Sequence, residues 1–313
     1  MNADPKIWIL PAGEDWIVDK MAADFQIFNG DICVQSPAEA DILWLMADWR
    51  WKDVHPCHFM NSDGTKKKVV VSIHHYVPEK FDENAEKDFR LRDNLVTQYH
   101  VFNQRAINFL VERKLTTKPI VFLPYWANQN IWHKTHGKMD ARRLLGLKAD
   151  DFICGSFQRD TEGSGLPTIA NPKLEKGPDL LCDALEKYKE IHGDKLCVLL
   201  AGWRRQYVIS RLEKANIRFK YFERPPQSSL NLCYQTLDLY PVTARYEGGP
   251  QSLIECGLIG VPVVSRPVGI AEQVLPNSAI NDDVTLATPA IPNVENWKIP
   301  RGFLPYREFF KQV

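Results

Sequence analysis

Short apolar runs alternate with amphipathic segments along the whole chain. Several runs are apolar throughout and rich in valine and isoleucine, which is typical of strands that are covered on both faces of a sheet. Helical periodicity separates them, for example over residues 104–114 and 179–191. This alternation predicts an α/β fold whose parallel sheets are built from right-handed crossovers. The predicted strands are residues 6–10, 41–45, 68–73, 100–103 and 119–124, followed by 151–157, 195–202, 217–222, 237–242 and 261–265.

The predicted strands fall into two series. Residues 124–138 separate them, and this stretch is polar and aromatic without a clean period. We therefore predict two Rossmann-like domains, residues 1–137 and 138–295, whose parallel sheets face each other across a cleft. The aromatic-rich tail, residues 296–313, is a candidate to pack back on the N-terminal domain. Ligands of such folds bind at the carboxyl ends of the strands, so we expect the site in that cleft.

Composition narrows the class of partner. The chain of 313 residues carries 39 Lys and Arg against 39 Asp and Glu, so its formal net charge is zero. The absence of an extended positive field argues against nucleic acid as a partner. Seven scattered cysteines without C-x-x-C spacing favour reduced thiols in the cytoplasm. No apolar stretch is long enough to predict a transmembrane helix, and peripheral contact with a membrane stays open.

A predicted strand, a polar turn, a helix and a further strand follow one another near the C-terminus. Gly248 and Gly249 precede Pro250, which suits the first turn of a helix because its missing N–H needs no partner there. The helix is predicted over residues 251–259 and ends at Gly260. Free N–H groups at such a helix start can receive a phosphate or lie against the face of a sugar.

Carboxylates frame that helix start. Glu247 stands before the glycines, Glu255 lies on the helix more than one turn in, and Glu272 starts the next helix. An ionised carboxylate accepts two hydroxyl hydrogen bonds at once, which suits a neutral sugar. A carboxylate at a helix start is also stabilised by the helix dipole, which is a structural explanation for a single glutamate there. The whole string E-G-G-P-Q-S-L-I-E, rather than either glutamate alone, therefore indicates a sugar site.

This string, followed by G-x-P-V-V-S and G-x-x-E, resembles the signature of the retaining GT-B glycosyltransferases of family 4. Earlier segments fit as well, since residues 155–159 end in Arg159 and residues 174–181 place Lys176 before a glycine. The resemblance covers residues 150–275. It implies a GT-B fold and the retaining transfer of a hexose from a nucleotide diphosphate sugar to a carbohydrate or lipid-linked acceptor.

The resemblance also implies a role for each matching residue. Arg159 and Lys176 would clamp the donor diphosphate, and Glu247 would hold the sugar ring near the reacting carbon. Glu255 would bind the ribose hydroxyls of the nucleotide. In that family no protein nucleophile is needed, and neither a metal nor a resident cofactor is implied; the lack of a D-x-D triplet fits this. The residues expected to bind the donor are Glu255, Gly248, Gly249, Pro250 and Glu272.

His74 and His75 follow the predicted strand 68–73 at its carboxyl end. In similar enzymes a histidine at this place approaches the donor sugar, so the resemblance assigns His75 to the catalytic group and His74 to donor binding. The competing interpretation is a pair of loop histidines that bond only to the backbone. Residues 55–58 add two histidines and a cysteine without a recognised zinc spacing, so we predict no metal site.

Two further expectations concern the segments around these motifs. The long interval between Arg159 and Lys176 predicts a polar loop that folds out between them. Trp49 and Trp51 follow a predicted strand end, and aromatic rings stack well on sugar faces. They are candidates for an acceptor platform, although packing is the commoner role of tryptophan.

Two other classes of function stay open at the level of sequence. A nucleotide-sugar epimerase or hydrolase of GT-B fold would need further acid and base groups, for which only His74, His75 and Glu14 are candidates. A non-catalytic nucleotide-sugar-binding protein would bind a donor without turnover. Product analysis without an acceptor separates the first from a transferase, and turnover across an acceptor panel separates the second.

Overall fold

The structure is a computed structural model, which describes residues 4–14, 17–163 and 171–313. The chain divides into two compact units. The first unit comprises the residues up to Trp126 together with Ile299–Val313, and the second unit is Ala127–Lys298. The division thus falls at Trp126, earlier than the boundary between residues 137 and 138 that the sequence suggests, and the tail joins the first unit from Ile299.

Ten strands lie in the described residues, and each corresponds to one of the ten predicted apolar runs. The bounds differ most at the fourth and ninth strands, where the apolar run continues into an adjoining turn. The strands are β1 (Ile7–Leu10), β2 (Ile42–Leu45), β3 (Lys68–Ile73), β4 (Gln98–Val101), β5 (Ile120–Phe122), β6 (Phe152–Ser156), β7 (Leu196–Gly202), β8 (Arg218–Glu223), β9 (Tyr240–Val242) and β10 (Val263–Ser265).

The helices lie between the strands, as the alternating pattern predicts. Asn103 caps the third helix by accepting a hydrogen bond from the N–H of Ala106, and Pro178 begins the fifth helix, where its missing N–H costs nothing. In the part of the chain that the structure describes, no helix is long and apolar enough to cross a membrane. The helices are α1 (Ile17–Phe28), α2 (Glu83–Asp93), α3 (Gln104–Glu112), α4 (Lys138–Leu144), α5 (Pro178–His192), α6 (Gln206–Lys214), α7 (Gln227–Gln235), α8 (Gln251–Ile259), α9 (Ala271–Val274) and α10 (Leu304–Gln312).

The first unit is built on one parallel sheet whose five strands lie in the order β1-β2-β3-β4-β5. On the side of β1 that faces away from β2, Cys33 forms a parallel bridge with Ile7. The chain therefore passes from one side of β1 to the other between Cys33 and β2. In open α/β sheets such a crossing marks the point at which ligands bind, outside the carboxyl ends of the strands.

Aromatic side chains pack the C-terminal helix α10 against this sheet. Trp44 of β2 packs against Phe25 of α1 with ring centroids 5.0 Å apart. Phe310 of α10 contacts the same indole at 5.0 Å. All three side chains are fully buried, and large aromatic surfaces contribute strongly to a core. The aromatic tail thus completes the core of the first unit.

A buried polar network lies beside these rings. The Nδ1 atom of His100 lies 2.8 Å from the hydroxyl of Ser72, and its Nε2 lies 3.2 Å from the carbonyl oxygen of Leu123. The carbonyl can only accept, so Nε2 carries the proton and Nδ1 accepts from Ser72. Burial lowers the pKa of His100 to about 3. The imidazole is therefore neutral in the folded protein over most of the acidic range.

We expect His100 to make the first unit sensitive to acid. An unfolded histidine titrates near pH 6.5, whereas folded His100 titrates at about 3. Between these values the unfolded chain binds the extra proton, so stability is intact above pH 6.5 and falls as the pH drops. The slope is about 1.4 kcal/mol per pH unit for this one group. Unfolding midpoints measured from pH 7.5 to 4.5 should fall less steeply in His100→Gln than in the wild type, and equal slopes would contradict the assignment.

The second unit has the strand order of a Rossmann-like sheet. Strands β6, β7 and β8 form one parallel set, and β9 and β10 form another. A parallel bridge between Cys154 and Leu239 joins β6 to the start of β9, and the N–H of Gly155 donates to the carbonyl of Leu239 at 2.9 Å. The combined order is β8-β7-β6-β9-β10. The order reverses between β6 and β9, and ligands of such sheets bind outside the carboxyl ends of the strands at that point.

Candidate functional site

Two loops at the carboxyl ends of the second unit's strands meet at Gly177. Gly177 has the left-handed φ of +63°, and the hydroxyl of Thr243 donates to its carbonyl oxygen at 2.9 Å. A Cβ atom at this glycine would lie 2.0 Å from the carbonyl oxygen of Thr243. Only glycine therefore lets the loop before α5 lie directly against the residues that follow β9.

Further contacts join the same two loops. The N–H groups of Arg245 and Tyr246 both donate to the carbonyl oxygen of Glu175, at 2.8 and 3.1 Å. The guanidinium of Arg245 binds both carboxylate oxygens of Asp179, at 2.8 and 2.6 Å. Such a two-pronged ion pair fixes the direction of both side chains. The loop before α5 and the loop after β9 therefore hold each other in place. Together these two loops form the support for the side chains of Lys176 and Glu247.

This support brings together two residues that the sequence assigns to the donor. The Nζ atom of Lys176 lies 2.7 Å from Oε1 of Glu247, and 18% and 14% of the two side chains are exposed. A lysine ammonium has three hydrogens. Lys176 can therefore hold Glu247 and still donate to a phosphate oxygen. The cation predicted for the diphosphate and the carboxylate predicted for the sugar thus stand side by side.

The glycines before α8 pack against a second glycine-containing loop. Gly269 has a φ of +58°, and a Cβ atom there would lie 2.5 Å from Cδ of Pro250 and 3.1 Å from Cα of Gly249. Gly248, Gly249 and Pro250 are buried under this loop. Glu272, on the short helix α9, is exposed to solvent. The loop that leads to Glu272 therefore lies over the predicted donor-binding residues.

Glu255 is buried on α8 beside a tyrosine that the sequence analysis missed. The hydroxyl of Tyr234 donates to Oε2 of Glu255. The rings of Trp132 and Phe157 meet the Tyr234 ring edge-on, with centroids 5.8 and 4.7 Å away. Burial and the charge of Glu255 raise the pKa of Tyr234 well above its ordinary value, so the hydroxyl keeps its proton. The only sequence signal for this contact is the apolar surroundings of Tyr234 in L-N-L-C-Y. They predict a buried ring, and the hydroxyl of a buried tyrosine needs a hydrogen-bond partner.

Arg159 lies in a group of cations around one indole. Its Nε atom donates to the carbonyl oxygen of Thr161 at 3.0 Å, and its guanidinium carbon lies 5.8 Å from the centre of the Trp203 ring. The guanidiniums of Arg204 and Arg224 lie over the same ring, at 4.0 and 4.5 Å. The sequence analysis did not identify this group, because its members follow three different strands.

Positive charge continues from Arg159 towards the support. Burial lowers the pKa of Lys173, the carboxylate of Glu175 at 3.4 Å from its Nζ atom opposes this change, and repulsion by the charges of Arg159 and Lys176 adds to it. Such mutual repulsion is relieved when an anion binds. Residues 164–170 of the predicted polar loop between Arg159 and Lys176 lie outside the described residues.

His74 and His75, the two histidines that the resemblance assigns to the site, lie in the first unit. The Nε2 atom of His74 lies 2.9 Å from the carbonyl oxygen of Met46, and its Nδ1 lies 2.9 Å from the hydroxyl of Tyr125. Its ring stacks on Phe102 at 4.7 Å, and burial lowers its pKa. His75 is half-buried in the same segment. The donor-binding role of His74 and the catalytic role of His75 stay predictions.

Within residues 4–14, 17–163 and 171–313, no group of three or more His, Cys, Asp and Glu side chains could hold a metal ion. Of the candidates over residues 55–58, Nδ1 of His55 lies 2.9 Å from the sulfur of Cys57.

Comparison with known proteins gives a family match and several fold matches. Residues 157–281 match the family model of glycosyl transferases group 1. No curated protein sequence matches the chain. Among solved structures, HepE from Anabaena in complex with UDP-glucose is similar, with 14% identity, a TM-score of 0.69 and coverage of 90% of this chain and 87% of that chain.

Two further solved structures have the same fold. A glycosyltransferase from Rickettsia africae aligns with 12% identity and a TM-score of 0.62 over 100% of this chain and 90% of that chain. Sucrose-phosphate synthase from Thermosynechococcus elongatus aligns with 15% identity and a TM-score of 0.57 over 84% of this chain and 63% of that chain. These likenesses confirm the predicted GT-B fold.

The fold and the match to glycosyl transferases group 1 together support the interpretation that this protein is a glycosyltransferase. The predicted resemblance to GT-B glycosyltransferases is confirmed over residues 157–281, which match glycosyl transferases group 1, whereas membership of family 4 and the retaining course stay predictions. The matched segment includes both predicted diphosphate cations and all three glutamates of the predicted donor site. It thus carries the residues on which the support around Lys176 and Glu247 is built.

Proposed function

We propose that this protein is a retaining glycosyltransferase that uses a nucleotide diphosphate sugar. It moves a hexose to the hydroxyl group of a carbohydrate or lipid-linked acceptor, and it does so without a metal. The complex of the similar HepE with UDP-glucose supports a donor of this class. The retaining course and the hexose rest on the resemblance of the E-x7-E string.

The ion pair between Lys176 and Glu247 is the observation that carries this proposal. It stands where the strand order of the second sheet reverses, which is where such sheets bind ligands. It also stands beside the buried glycines at the start of α8, whose N–H groups favour an anion. A fixed cation, a carboxylate and a helix start together suit a sugar joined to a diphosphate.

In the proposed reaction the bond between the anomeric carbon and the diphosphate oxygen breaks. The acceptor oxygen bonds to the anomeric carbon on the same face, and its proton passes to the departing phosphate oxygen. Negative charge grows on the diphosphate as it leaves, and Lys176 and Arg159 stabilise it. Glu247 orients the sugar through its hydroxyl groups. Catalysis then consists of positioning and electrostatic stabilisation.

Glu255 is proposed to bind the ribose. Its Oε2 atom accepts from Tyr234, which fixes the carboxylate plane inside the aromatic cluster. A carboxylate has acceptor sites for several donors, so Glu255 can bind Tyr234 and ribose hydroxyls together. Tyr234 would thereby position the nucleotide without touching it.

Donor binding and transfer in the absence of metal test this function. We expect UDP-glucose or GDP-mannose, added in excess EDTA, to raise the melting temperature by several degrees. A donor at about 100 times its Kd stabilises the folded state by about 2.7 kcal/mol. Glucose and mannose alone are the controls. Mass spectrometry across an acceptor panel should then show a hexose added, and NMR should show the donor's anomeric configuration. Release of free sugar without transfer, or activity restored only by a divalent metal, would contradict the proposal.

A further inference from the structure

A fully buried ion pair holds the residue that follows Arg159 in the chain. Nε of Arg205 lies 2.5 Å from Oδ2 of Asp160, and the two side chains are 0% and 1% exposed. The same guanidinium donates to the carbonyl oxygens of Ser156 and Ala201, at 2.5 and 3.0 Å. Ser156 ends β6, and Ala201 lies one residue before the end of β7. Arg205 therefore ties Asp160 to the ends of two neighbouring strands.

The Asp160–Arg205 pair constrains geometry more than it adds stability. Both charges lose their water on burial, and this cost offsets most of their attraction. All three nitrogen atoms of the guanidinium donate hydrogen bonds, two of them to the carbonyl oxygen and the hydroxyl of Ser156. Directed bonds of this number define one position for the chain around them. Asp160 is therefore a fixed point to which neighbouring residues can be held.

Thr161 connects this fixed point to the side chain of Arg159. Its hydroxyl donates to Oδ1 of Asp160 at 2.6 Å and accepts from the N–H of Tyr207, in the first turn of α6, at 3.0 Å. Its carbonyl oxygen in turn accepts from Nε of Arg159 at 3.0 Å. Thr161 is buried, whereas Arg159 is half-buried. The hydroxyl of Thr161 thus fixes the residue whose carbonyl group directs the Arg159 guanidinium.

The same segment is joined to the loop that carries Lys176. The N–H of Lys173 donates to the carbonyl oxygen of Asp160 at 2.8 Å. On the other side of Arg159, Nε2 of Gln158 donates to the carbonyl oxygen of Lys176 at 2.9 Å. Contacts before and after Arg159 therefore set its position relative to Lys176, the second cation predicted for the diphosphate.

We propose that Thr161 is a positioning residue that holds the Arg159 guanidinium in place for the donor diphosphate. Asp160 and Arg205 act with it, as the fixed point to which its hydroxyl is bonded. This inference rests on the proposed function, in which Arg159 and Lys176 bind that diphosphate. A cation that is held before the ligand arrives loses little freedom on binding, and it needs little reorganisation as charge grows on the leaving diphosphate.

Two substitutions at Thr161 test this role. Thr161→Val keeps the shape of the side chain and deletes the hydroxyl, and Thr161→Ser restores the hydroxyl. In calorimetric titrations with UDP and GDP, using the nucleotide that the wild type binds more tightly, we expect Thr161→Val to raise the Kd by about three- to tenfold. Thr161→Ser should return it to within about twofold of the wild type. Thr285→Val is the matched control and should bind like the wild type, since the hydroxyl of Thr285 also donates to an aspartate at 2.6 Å, Asp283, outside both loops.

A double variant shows whether Thr161 acts through Arg159. Arg159→Ala alone should raise the Kd by about tenfold or more, as expected when a hydrogen bond from a charged group is lost. Adding Thr161→Val to Arg159→Ala should then change the Kd by less than about twofold, because the guanidinium that Thr161 directs is already gone. A further rise equal to that of Thr161→Val alone would overturn the proposal, since a merely structural residue weakens binding in either background.

The NMR signal of the Arg159 Nε–H group gives a second readout, which needs no nucleotide. The signal is assigned by its loss in Arg159→Ala. We expect its hydrogen exchange with water to be slow in the wild type and in Thr161→Ser, and about tenfold faster in Thr161→Val. Equal exchange in the wild type and Thr161→Val would overturn the positioning role. If the wild type bound neither UDP nor GDP, the donor function would fail, and the exchange rates would still decide whether Thr161 orders Arg159.

Discussion

Replacement of Lys176 by alanine is expected to lower the turnover number for sugar transfer by about 10²–10³-fold, the loss found when one fixed donor to a developing negative charge is removed. The ammonium stands 2.7 Å from Glu247 on loops joined by the close contact of Gly177 with Thr243. It is therefore held in place before the donor binds. Removing it leaves the departing diphosphate less stabilised and Glu247 without its cation. Steady-state kinetics with saturating donor would measure the loss as a fall in kcat.

Two variants make this result specific. Lys187→Ala removes a comparable ion pair, the one with Asp283 at 2.6 Å on the exposed part of α5, and should keep wild-type kcat. Lys176→Arg keeps the charge and should recover part of the lost turnover, because a guanidinium also donates to phosphate. A kcat for Lys176→Ala within threefold of the wild type would show that Lys176 takes no part in the transition state.

Apolar runs predicted the strands of this fold well because the central strands of a parallel sheet are covered on both faces and carry apolar residues on each. Every residue of β7 is buried, for example, and its sequence L-C-V-L-L-A-G is apolar throughout. The helix α8 was predicted with its bounds because Pro250 and Gly260 mark its two ends. These signals are local in the chain. The sheet order follows from them only through general rules of connection.

The arrangement of the site depends on contacts that no local signal encodes. The resemblance assigned Lys176 and Glu247 to different parts of the donor, yet their ion pair requires the contact of Gly177 with Thr243 and the binding of Arg245 to Asp179. Similarly, the cations around Trp203 come from the ends of several strands and meet only in the folded sheet. Trp49 and Trp51 also look alike in the sequence. In the structure Trp49 is 49% exposed, whereas Trp51 donates to Asp88 and packs against the core. This difference arises from tertiary packing, which the local sequence does not encode.

Replacement of Glu255 by alanine is expected to weaken nucleotide binding by about 2–4 kcal/mol, the scale of lost hydrogen bonds to a buried charge. That corresponds to about a 30- to 1,000-fold rise in Kd. The variant removes the proposed ribose ligand and also leaves the buried hydroxyl of Tyr234 without the carboxylate that accepts its hydrogen bond. Calorimetric titration with UDP and GDP would measure the change, using the nucleotide that the wild type binds more tightly.

The contribution of Tyr234 can be separated from that of Glu255. Tyr234→Phe keeps the aromatic packing against Trp132 and Phe157 and deletes only the hydroxyl. We expect a smaller rise in Kd than in Glu255→Ala, because the carboxylate remains but its plane is no longer fixed. Combining the two changes should cost less than the sum of the single losses, since they remove one shared interaction. Unfolding midpoints without ligand must accompany the titrations, so that a loss of folded protein is not mistaken for a loss of affinity. If folded Glu255→Ala binds the nucleotide within threefold of the wild type, Glu255 does not bind the ribose, and Tyr234 has only a structural role.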